Sequence, residues 1–403
     1  MKNNLKILFV DDDIALLQSI RRYVRLNHKE WNCKFSNSGE EALKILSQMQ
    51  FDFIISDMRM PQMDGSQLLR KVKEKYPATI RFILSGQTEQ KSFIRAVGSM
   101  HQFLTKPCDM DTLKNTIARS ISMRDLINND QLKNCLLDVD SLPGIPEIYF
   151  ELVDALQSDE STVEIIGEII SQDVGLTAKI LQVANSSFFG SPQKVSTPAQ
   201  AVHILGFEFI QVLALGYKTL LKPVSAKKDR EIIESIWKHS LNVSQLALKL
   251  AKRENLSSVD ENFCFTAGLL HDIGKIIALE NFPEKYHDYL SELKEDNNTL
   301  QIEKKIFGSS LSEVGAYLLT LWGLPDPIVE AVGYHKNPSK CISKSTSPLT
   351  FIHIANALDE ENISDSRFES FKNLDLEYLK EAGITESLFN GYEDLKESIS
   401  KIE

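Results

Sequence analysis

The sequence predicts an α/β domain with a five-stranded parallel sheet, followed by an all-α region. Three observations predict this division. Short apolar runs alternate with amphipathic stretches over the first ~110 residues, whereas helical periodicity replaces the strand pattern from about Met110 onward. The length of 403 residues is the third indication, because it exceeds what one ordinary core accommodates and predicts two or three domains.

The expected strands are short apolar runs: Leu5–Val10, Asn32–Phe35, Phe51–Ser56, Ile80–Leu84 and Gln102–Leu104. The stretches between them are amphipathic and predict helices, as in Ala15–Leu26, Glu40–Ser47 and Ser66–Lys75. Strands that alternate with helices form a parallel sheet covered on both faces. In such sheets, binding and chemistry collect beyond the carboxyl ends of the strands.

The stretch Met110–Leu137 contains neither Pro nor Gly and predicts one long helix that leaves the first domain as a connector. The string SLPGIP at 141–146 then marks the start of a new domain. Helical periodicity recurs beyond it at Ile148–Leu156, Thr162–Ile170, Leu176–Ala184, Ile232–Ala251, Phe263–His271 and Ser312–Trp322.

Composition excludes several classes of protein. A formal net charge of -11 argues against nucleic-acid binding, which needs clustered Lys and Arg. The five cysteines are scattered without a CxxC pair, so neither a disulfide framework nor a cysteine zinc site is expected. No stretch approaches the ~20 apolar residues of a membrane span, and the amino terminus lacks a signal peptide. A cytoplasmic location is therefore expected, with no membrane association.

Polar residues follow four of the predicted strands. Asp11-Asp12-Asp13 follow the first, Asp57 the third, Ser85 the fourth and Lys106-Pro107 the fifth. These ends converge at one edge of a parallel sheet, where three carboxylates require a cation. Mg²⁺ suits such a site because it takes a few carboxylate or carbonyl oxygens and keeps several waters. A Lys and a hydroxyl beside it can hold the oxygens of a phosphoryl group.

Four strings in this order resemble the response-regulator receiver family: ILFVDDD at 7–13, IISDMRMPQMDG at 54–65, ILSG at 83–86 and FLTKP at 103–107. The resemblance covers residues 4–122 and implies a flavodoxin-like fold. The expected organisation is a receiver at 1–122, a helical connector at 123–138, an output domain at 139–340 and a C-terminal helical extension at 341–403.

The resemblance also assigns roles to the acidic residues. Asp57 would be the phosphoacceptor for a sensor histidine kinase. Asp12 and Asp57 would bind Mg²⁺ together with the backbone carbonyl of Arg59, while Asp11 would act mainly through water. The alternative interpretation is that these acids are solvated strand-end loops, but four matching features in order disfavour it.

Three further residues match the family's switch. Lys106 would pair with the phosphoryl group, Ser85 would move to hydrogen-bond it, and Phe103 occupies the switch-aromatic position without the hydroxyl of a Tyr. In this family the phosphorylated state is read through the face formed by the fourth helix, fifth strand and fifth helix. Here that fifth helix leads directly into the connector.

The second half contains the string GLLHDIGK at 268–275. Adjacent His271 and Asp272 at a helix end can bind one divalent metal ion. With His239 on a preceding amphipathic helix, they resemble the HD superfamily of metal-dependent phosphohydrolases, whose ligands are a His, a His-Asp pair and a distant Asp. The position of that last Asp holds Asn356, a neutral and weaker ligand that activates metal-bound water less well.

Dinuclear branches of that superfamily add histidines after the HD pair. His335 could be one of these, whereas the other expected place holds Leu311. The HHExxDGxGYP string of the cyclic-dinucleotide phosphodiesterase branch is absent. A histidine on a helix is often only a hydrogen-bonded core residue, so both interpretations stay open.

A broader resemblance covers residues ~139–340, which are similar to the HDOD family, an HD-related output domain. The strings that carry it are SLPGIP at 141–146, SQDVGLTAKILQVANSSFFG at 171–190, VSTPAQAVHILGF at 195–207, LLHDIGK at 269–275 and EVGAYLLTLWGLP at 313–325. The resemblance implies a regulatory domain with degenerate metal ligands.

Three functions compete at this point. The first is a response regulator whose non-catalytic HDOD domain binds an unknown protein partner. The second is a metal-dependent phosphohydrolase acting on a nucleotide or cyclic dinucleotide, with a second divalent metal at His239, His271, Asp272 and Asn356. The third, a DNA-binding regulator, is disfavoured by the acidic charge. The connector could also pair two chains into a homodimer.

Overall fold

The computed structural model describes residues 5–86, 98–137, 146–158, 160–186, 194–207, 227–295, 298–360 and 373–384, together with isolated positions at 96, 139, 189, 209–211 and 213–214. Most of the SLPGIP string, at 141–145, lies outside these residues, as do much of the C-terminal extension and most of the segment between the fourth and fifth strands. None of the described helices combines the length and apolar character that a membrane crossing requires.

The first domain is built on five parallel strands: β1 (Leu5–Val10), β2 (Trp31–Ser36), β3 (Phe53–Asp57), β4 (Ile80–Ser85) and β5 (Gln102–Thr105). Their order across the sheet is β2-β1-β3-β4-β5, the flavodoxin-like order, in which the crossover connections leave helices on both faces. The predicted fold class, a flavodoxin-like parallel sheet followed by a helical region, is therefore confirmed.

The described helices of this domain are α1 (Ile14–Asn27), α2 (Gly39–Gln48), α3 (Gly65–Lys75) and α4 (Met110–Leu126). Asp13 begins α1 by accepting the amides of Ala15 and Leu16. Asp64 begins α3 with a capping box that includes Gln67. Both caps follow a strand end, so the loops that carry the acidic residues are held by short, local hydrogen bonds.

The connector differs from the single helix expected over Met110–Leu137. Helix α4 ends at Leu126, and a second helix, α5, runs from Asp130 to Leu136. The reason is Asn129, whose side chain accepts the amides of Gln131 and Leu132 and thereby starts a new helix. The intervening Asn128 amide donates to Ser309 Oγ at 2.8 Å, so the break is used to contact the output domain.

The output domain is helical throughout its described part. Its helices are α6 (Pro146–Gln157), α7 (Val163–Ser171), α8 (Val174–Ala184), α9 (Pro198–Leu205), α10 (Lys227–Arg253), α11 (Ser258–Leu270), α12 (Ile273–Asn281), α13 (Pro283–Glu292), α14 (Thr299–Phe307), α15 (Leu311–Leu321), α16 (Asp326–Tyr334), α17 (Pro348–Glu360) and α18 (Leu376–Glu381).

The centre of this domain is formed by α10, α11 and α17, which pack against one another. Gly268 allows α11 to approach α10 closely, because a Cβ at this residue would overlap the backbone of Ser244 on α10. Helix α17 lies beyond residue 340 but is almost entirely buried, so the helical core continues into the C-terminal extension. These three helices bring the histidine-bearing segments together.

Candidate functional site

The first candidate site lies at the carboxyl edge of the sheet, where β1 and β3 are neighbours. Asp11 and Asp57 are both buried there. Lys106, directly after β5, places its Nζ 2.5 Å from Asp11 Oδ2 and 2.5 Å from Asp57 Oδ1. One ammonium thus pairs with two buried carboxylates and offsets part of the cost of burying their charges.

The loop after β3 holds the second oxygen of Asp57. The Arg59 amide donates to Asp57 Oδ2 at 2.5 Å. Gly65 closes the loop by donating its amide to the Met58 carbonyl at 2.9 Å. A Cβ at Gly65 would overlap the Asp57 carbonyl oxygen, so only glycine fits against the acidic residue.

Of the remaining residues predicted for this site, Ser85 and Asp12 lie at the same edge, whereas Phe103 lies near the start of β5. Ser85 ends β4, is buried, and its carbonyl accepts the Lys106 amide at 2.8 Å. Phe103 on β5 is also buried. Asp12, between the buried Asp11 and α1, is exposed. The fold therefore brings Asp11, Asp57 and Lys106 into direct contact, with Asp12 and Ser85 at the same strand ends and Phe103 further back on β5.

Burial raises the pKa of the Asp57 carboxyl above its usual range, although the Lys106 ammonium opposes the shift. Burial disfavours the charge on Lys106, but hydrogen bonds to Asp11 and Asp57 outweigh it and raise the pKa of Lys106. The donor set at this corner consists of carboxylate and carbonyl oxygens beside an exposed acid, and it therefore fits Mg²⁺ better than a nitrogen-seeking metal.

The second candidate site is a histidine cluster in the core of the helical domain. His239 lies on α10, His271 directly follows α11, and Asp272 precedes α12. One ligand atom from each lies within 4.8 Å of the others, and within the part of the chain that the structure describes this is the group of His, Cys, Asp and Glu suited to a metal ion. His271 and Asp272 are buried, with exposures of 0% and 4%.

The distances within the cluster are short. His239 Nε2 lies 3.2 Å from His271 Nε2 and 3.1 Å from Asn356 Oδ1 on α17. Asp272 Oδ2 lies 3.6 Å from His239 Nε2 and 3.4 Å from His271 Nε2. All four residues predicted for a degenerate HD site are thus brought together.

The other nitrogen of each histidine has a partner of its own. Asp359 Oδ2 contacts His239 Nδ1 at 2.6 Å, and His271 Nδ1 donates to the Gly268 carbonyl at 2.7 Å. Two imidazoles held in this way direct the lone pairs of their Nε2 atoms at each other when neutral. A shared proton or a metal ion removes that repulsion, so the residues fit a divalent metal with nitrogen preference.

Comparison with known families identifies two domains in the chain. The model of the response regulator receiver domain matches residues 7–118, and the model of the HDOD domain matches residues 142–338. The chain joins a response regulator receiver domain to an HDOD domain. These are the two families that the sequence motifs predicted. The combination supports a response regulator with an HDOD output domain.

Individual relatives resemble parts of this arrangement. The chain is 26% identical over 235 residues to an uncharacterized protein of Treponema pallidum, covering 55% of this chain and 44% of that protein. It is 36% identical over 115 residues to the transcriptional regulatory protein GlrR of Escherichia coli, covering 28% of this chain and 25% of GlrR. The chain spans less than half the length of these two curated relatives.

Among solved structures, the MmoQ response regulator of Methylococcus capsulatus is similar. It shares 21% identity and covers 60% of this chain and 94% of its own, with a TM-score of 0.48.

Two residues of the HDOD site were missed by the sequence reasoning. Lys275 Nζ lies 2.6 Å from Asp272 Oδ2. Although burial opposes ionisation, Lys275 and His271 hold the pKa of Asp272 well below its usual range. Asp359 lies three residues after Asn356 on one face of α17, so the spacing Asn-x-x-Asp on a helix beside the HD pair was the available signal.

His335 extends the same site. Its Nδ1 donates to the Val332 carbonyl at 2.9 Å, and its Nε2 is buried without a hydrogen-bond partner. The ring lies 5.0 Å from that of His271, measured between centroids. With Asn356, it lines a cavity of about 500 Å³. His353 differs, since its two nitrogens contact the His335 carbonyl and the Asp375 amide.

Proposed function

We propose that this response regulator is phosphorylated on Asp57 by a sensor histidine kinase and that its HDOD domain passes the signal to a protein partner without catalysis. The observation that carries the proposal is the contact of Lys106 with both Asp57 and Asp11 at 2.5 Å. A buried carboxylate beside a lysine that can hold phosphoryl oxygens is suited to accept a phosphoryl group.

In this mechanism an Asp57 carboxylate oxygen forms the new bond to phosphorus as the bond to the donor breaks. Lys106 then pairs with the phosphoryl oxygens, and the Ser85 hydroxyl donates to one of them. Asp12, Asp57 and the carbonyl of Arg59 would hold Mg²⁺ directly, and Asp11 would do so through water. When bound, Mg²⁺ neutralises the charge that gathers on the phosphoryl oxygens.

Incubation with acetyl phosphate and Mg²⁺ tests this proposal. We expect the intact protein to gain the mass of one phosphoryl group and the Asp57→Asn variant to gain none. Asp111→Asn, an exposed acid on α4, is the matched control and should be modified like the wild type. Modification that persists in Asp57→Asn would refute Asp57 as the acceptor.

The proposed setting is the cytoplasm, with no nucleic acid or membrane as partner. The five cysteines are free thiols in the structure, in keeping with a reducing compartment. The acidic charge of -11 disfavours binding to nucleic-acid phosphates. Homodimerisation through the connector region is part of the proposal, and sedimentation before and after phosphorylation measures it.

A second candidate function, metal-dependent hydrolysis of a nucleotide or cyclic dinucleotide, is favoured by one observation. The Nε2 atoms of His239 and His271 converge within 3.2 Å, next to Asp272. Asn356 argues against turnover, because a neutral amide activates metal-bound water less than a carboxylate does.

Metal analysis combined with a hydrolysis panel separates the two functions. Stoichiometric metal and turnover, both lost in His271→Ala and retained in His203→Ala, would establish metal-dependent hydrolysis. They would also refute a non-catalytic HDOD domain. His203 is a suitable control because it is exposed on α9. A protein without turnover, with or without metal, leaves the HDOD domain as a binding module.

A further inference from the structure

A polar cavity of about 500 Å³ lies beside the histidine cluster of the HDOD domain. Its walls come from the start of α14, the residues after α16, helix α17 and the residues before α18. Asn356 belongs to both places, because it lines the cavity and its Oδ1 lies 3.1 Å from His239 Nε2. Sites for small ligands have volumes of about 300–1,000 Å³, so the cavity can hold a small organic molecule.

His335 brings an unpaired hydrogen-bond acceptor to this cavity. The side chain is buried, with an exposure of 1%, and its Nδ1 donates to the Val332 carbonyl at 2.9 Å. Burial lowers the pKa of the ring well below its usual range, so Nε2 carries a lone pair rather than a proton. Within the described part of the chain, Nε2 has no hydrogen-bond partner. A buried acceptor of this kind favours a ligand that carries an N–H or O–H donor.

The charges around the cavity favour a cation over an anion. Lys336 is the one Lys or Arg among the described lining residues, and its Nζ lies 2.7 Å from Oε1 of the fully buried Glu303. This ammonium is therefore already paired. Glu360 and Asp375 add two carboxylates to the lining. An ammonium group would be attracted to them, whereas a phosphate group would be repelled.

Asp375 is held in its charged form. Its Oδ1 accepts the Tyr378 amide at 3.0 Å, at the start of α18. Although burial opposes ionisation, hydrogen bonds from Ser339 and from this amide lower the pKa of the Asp375 carboxyl below its usual range. Glu360 ends α17 and is exposed. One charge of the cavity is therefore fixed by the fold, and the other is open to solvent.

Two leucines give the cavity an apolar part. Leu300 lies on α14 and Leu374 lies just before α18, and both line the cavity. Methylene groups gain free energy when they leave water for such a surface. An inorganic cation makes no use of this surface, so the lining favours an organic cation with a short aliphatic chain.

We propose that this cavity, which we call the amine site, binds a small aliphatic amine in its ammonium form. The ammonium group donates to His335 Nε2 and pairs with the carboxylates of Glu360 and Asp375, and the aliphatic chain packs on the two leucines. Through Asn356 the bound amine lies next to the histidine cluster. The amine site is therefore a second input to the HDOD domain, independent of phosphorylation on Asp57, and it disfavours nucleotide phosphates in the same cavity.

Calorimetric titration of the full, chelator-treated chain tests the proposal with three compounds of matched chain length. 1,4-Diaminobutane is a dication, 1,4-butanediol is neutral and adipate is a dianion. We expect one equivalent of 1,4-diaminobutane to bind, 1,4-butanediol to bind about tenfold more weakly, and adipate not to bind. Absence of binding by 1,4-diaminobutane would overturn the proposal, and so would adipate binding as tightly as the diamine.

Single substitutions locate the binding. Glu360→Gln removes an exposed charge at constant size and should weaken diamine binding about fivefold. His335→Phe keeps a ring without the acceptor and should weaken it about tenfold. Glu284→Gln, the same change at an exposed acid on α13 outside the cavity, is the matched control and should bind like the wild type.

Because His335→Phe can disturb the core, Glu360→Gln carries the decision. Unchanged affinity in Glu360→Gln would refute the amine site. If Glu284→Gln weakens binding to the same extent, the overall acidic charge attracts the amine and the amine site is refuted as well. Asp57→Asn should bind the diamine like the wild type, so a failure of the proposed phosphorylation would leave the amine site standing.

Zinc binding distinguishes the other use of the buried nitrogen. His335 is not among the three described residues whose ligand atoms lie within 4.8 Å of one another, so we expect His335→Phe to bind Zn²⁺ with the wild-type stoichiometry. If 1,4-diaminobutane does not bind and His335→Phe removes one equivalent of Zn²⁺, Nε2 is a metal ligand and the proposal is overturned.

Discussion

Lys106 Nζ lies 2.5 Å from Asp57 Oδ1 and at the same distance from Asp11 Oδ2. The lysine therefore offsets part of the negative charge of this site and is in position to pair with a phosphoryl group on Asp57. Because it follows β5 directly, a change in its pairing is transmitted to the strand that borders the output domain. The first prediction concerns this residue.

Replacing Lys106 with Met should lower the stability of the receiver at neutral pH. Two buried carboxylates would then lack their common cation, and loss of one partner of a buried pair costs about 3 kcal/mol. Urea unfolding at pH 7 measures the loss. Lys106→Arg retains the charge and serves as the control. A Lys106→Met variant as stable as the wild type would show that the pair contributes nothing.

Replacing Gly65 with Ala should destabilise the receiver by roughly 3 kcal/mol, the scale of an overpacked site without room to relax. A Cβ at Gly65 overlaps the Asp57 carbonyl, whereas a Cβ at Gly86 meets no atom within 4 Å. Gly86→Ala is thus the matched control, with little change expected. Thermal melts of both variants decide the point, and equal melting temperatures would contradict it.

His271 should make the metal-free protein less stable in acid. Burial lowers its pKa to about 4, so below pH about 6.5 the unfolded chain binds a proton that the folded protein does not. Above pH about 6.5, His271 is neutral in both the folded and the unfolded chain, and its titration does not lower the free energy of unfolding. That free energy falls by about 3 kcal/mol as the pH decreases toward about 4.

Urea unfolding of chelator-treated protein at a series of pH values measures this effect. The His271→Gln variant has no such titration and should lack that part of the pH dependence. A variant whose stability follows the wild-type pH curve throughout this window would contradict the assignment.

Asp359 should set the metal affinity of the HDOD site if that site binds metal. Its Oδ2 contacts His239 Nδ1 at 2.6 Å, and loss of such an outer partner weakens metal binding by about 10–100-fold. Titration of chelator-treated Asp359→Ala with Zn²⁺ measures this. Asp288→Asn, an exposed acid on α13, is the control. Equal affinities in the two variants would remove Asp359 from the site.

Much of the receiver was predictable because its chemistry lies where short, regular elements end. Apolar runs located β1 and β4, and the acidic and basic residues immediately after the strands predicted the corner at which Asp11, Asp57 and Lys106 meet. The connector was less predictable. Its composition favours a continuous helix, but the Asn129 cap divides it, and that cap is used because Asn128 and Asn129 also bond to the output domain.

In the HDOD domain, the sequence by itself determined the residue types His239, His271, Asp272 and Asn356 and their place on helices or at helix ends. Only the tertiary structure decided that Asp359 orients His239 and that Lys275 compensates Asp272. It also decided that Arg119 of the receiver pairs with Asp326 at the start of α16. Motifs report the residues that one element carries, because local spacing is written in the chain. Contacts between helices more than 80 residues apart, such as that of His239 with Asp359, depend on how the helices pack.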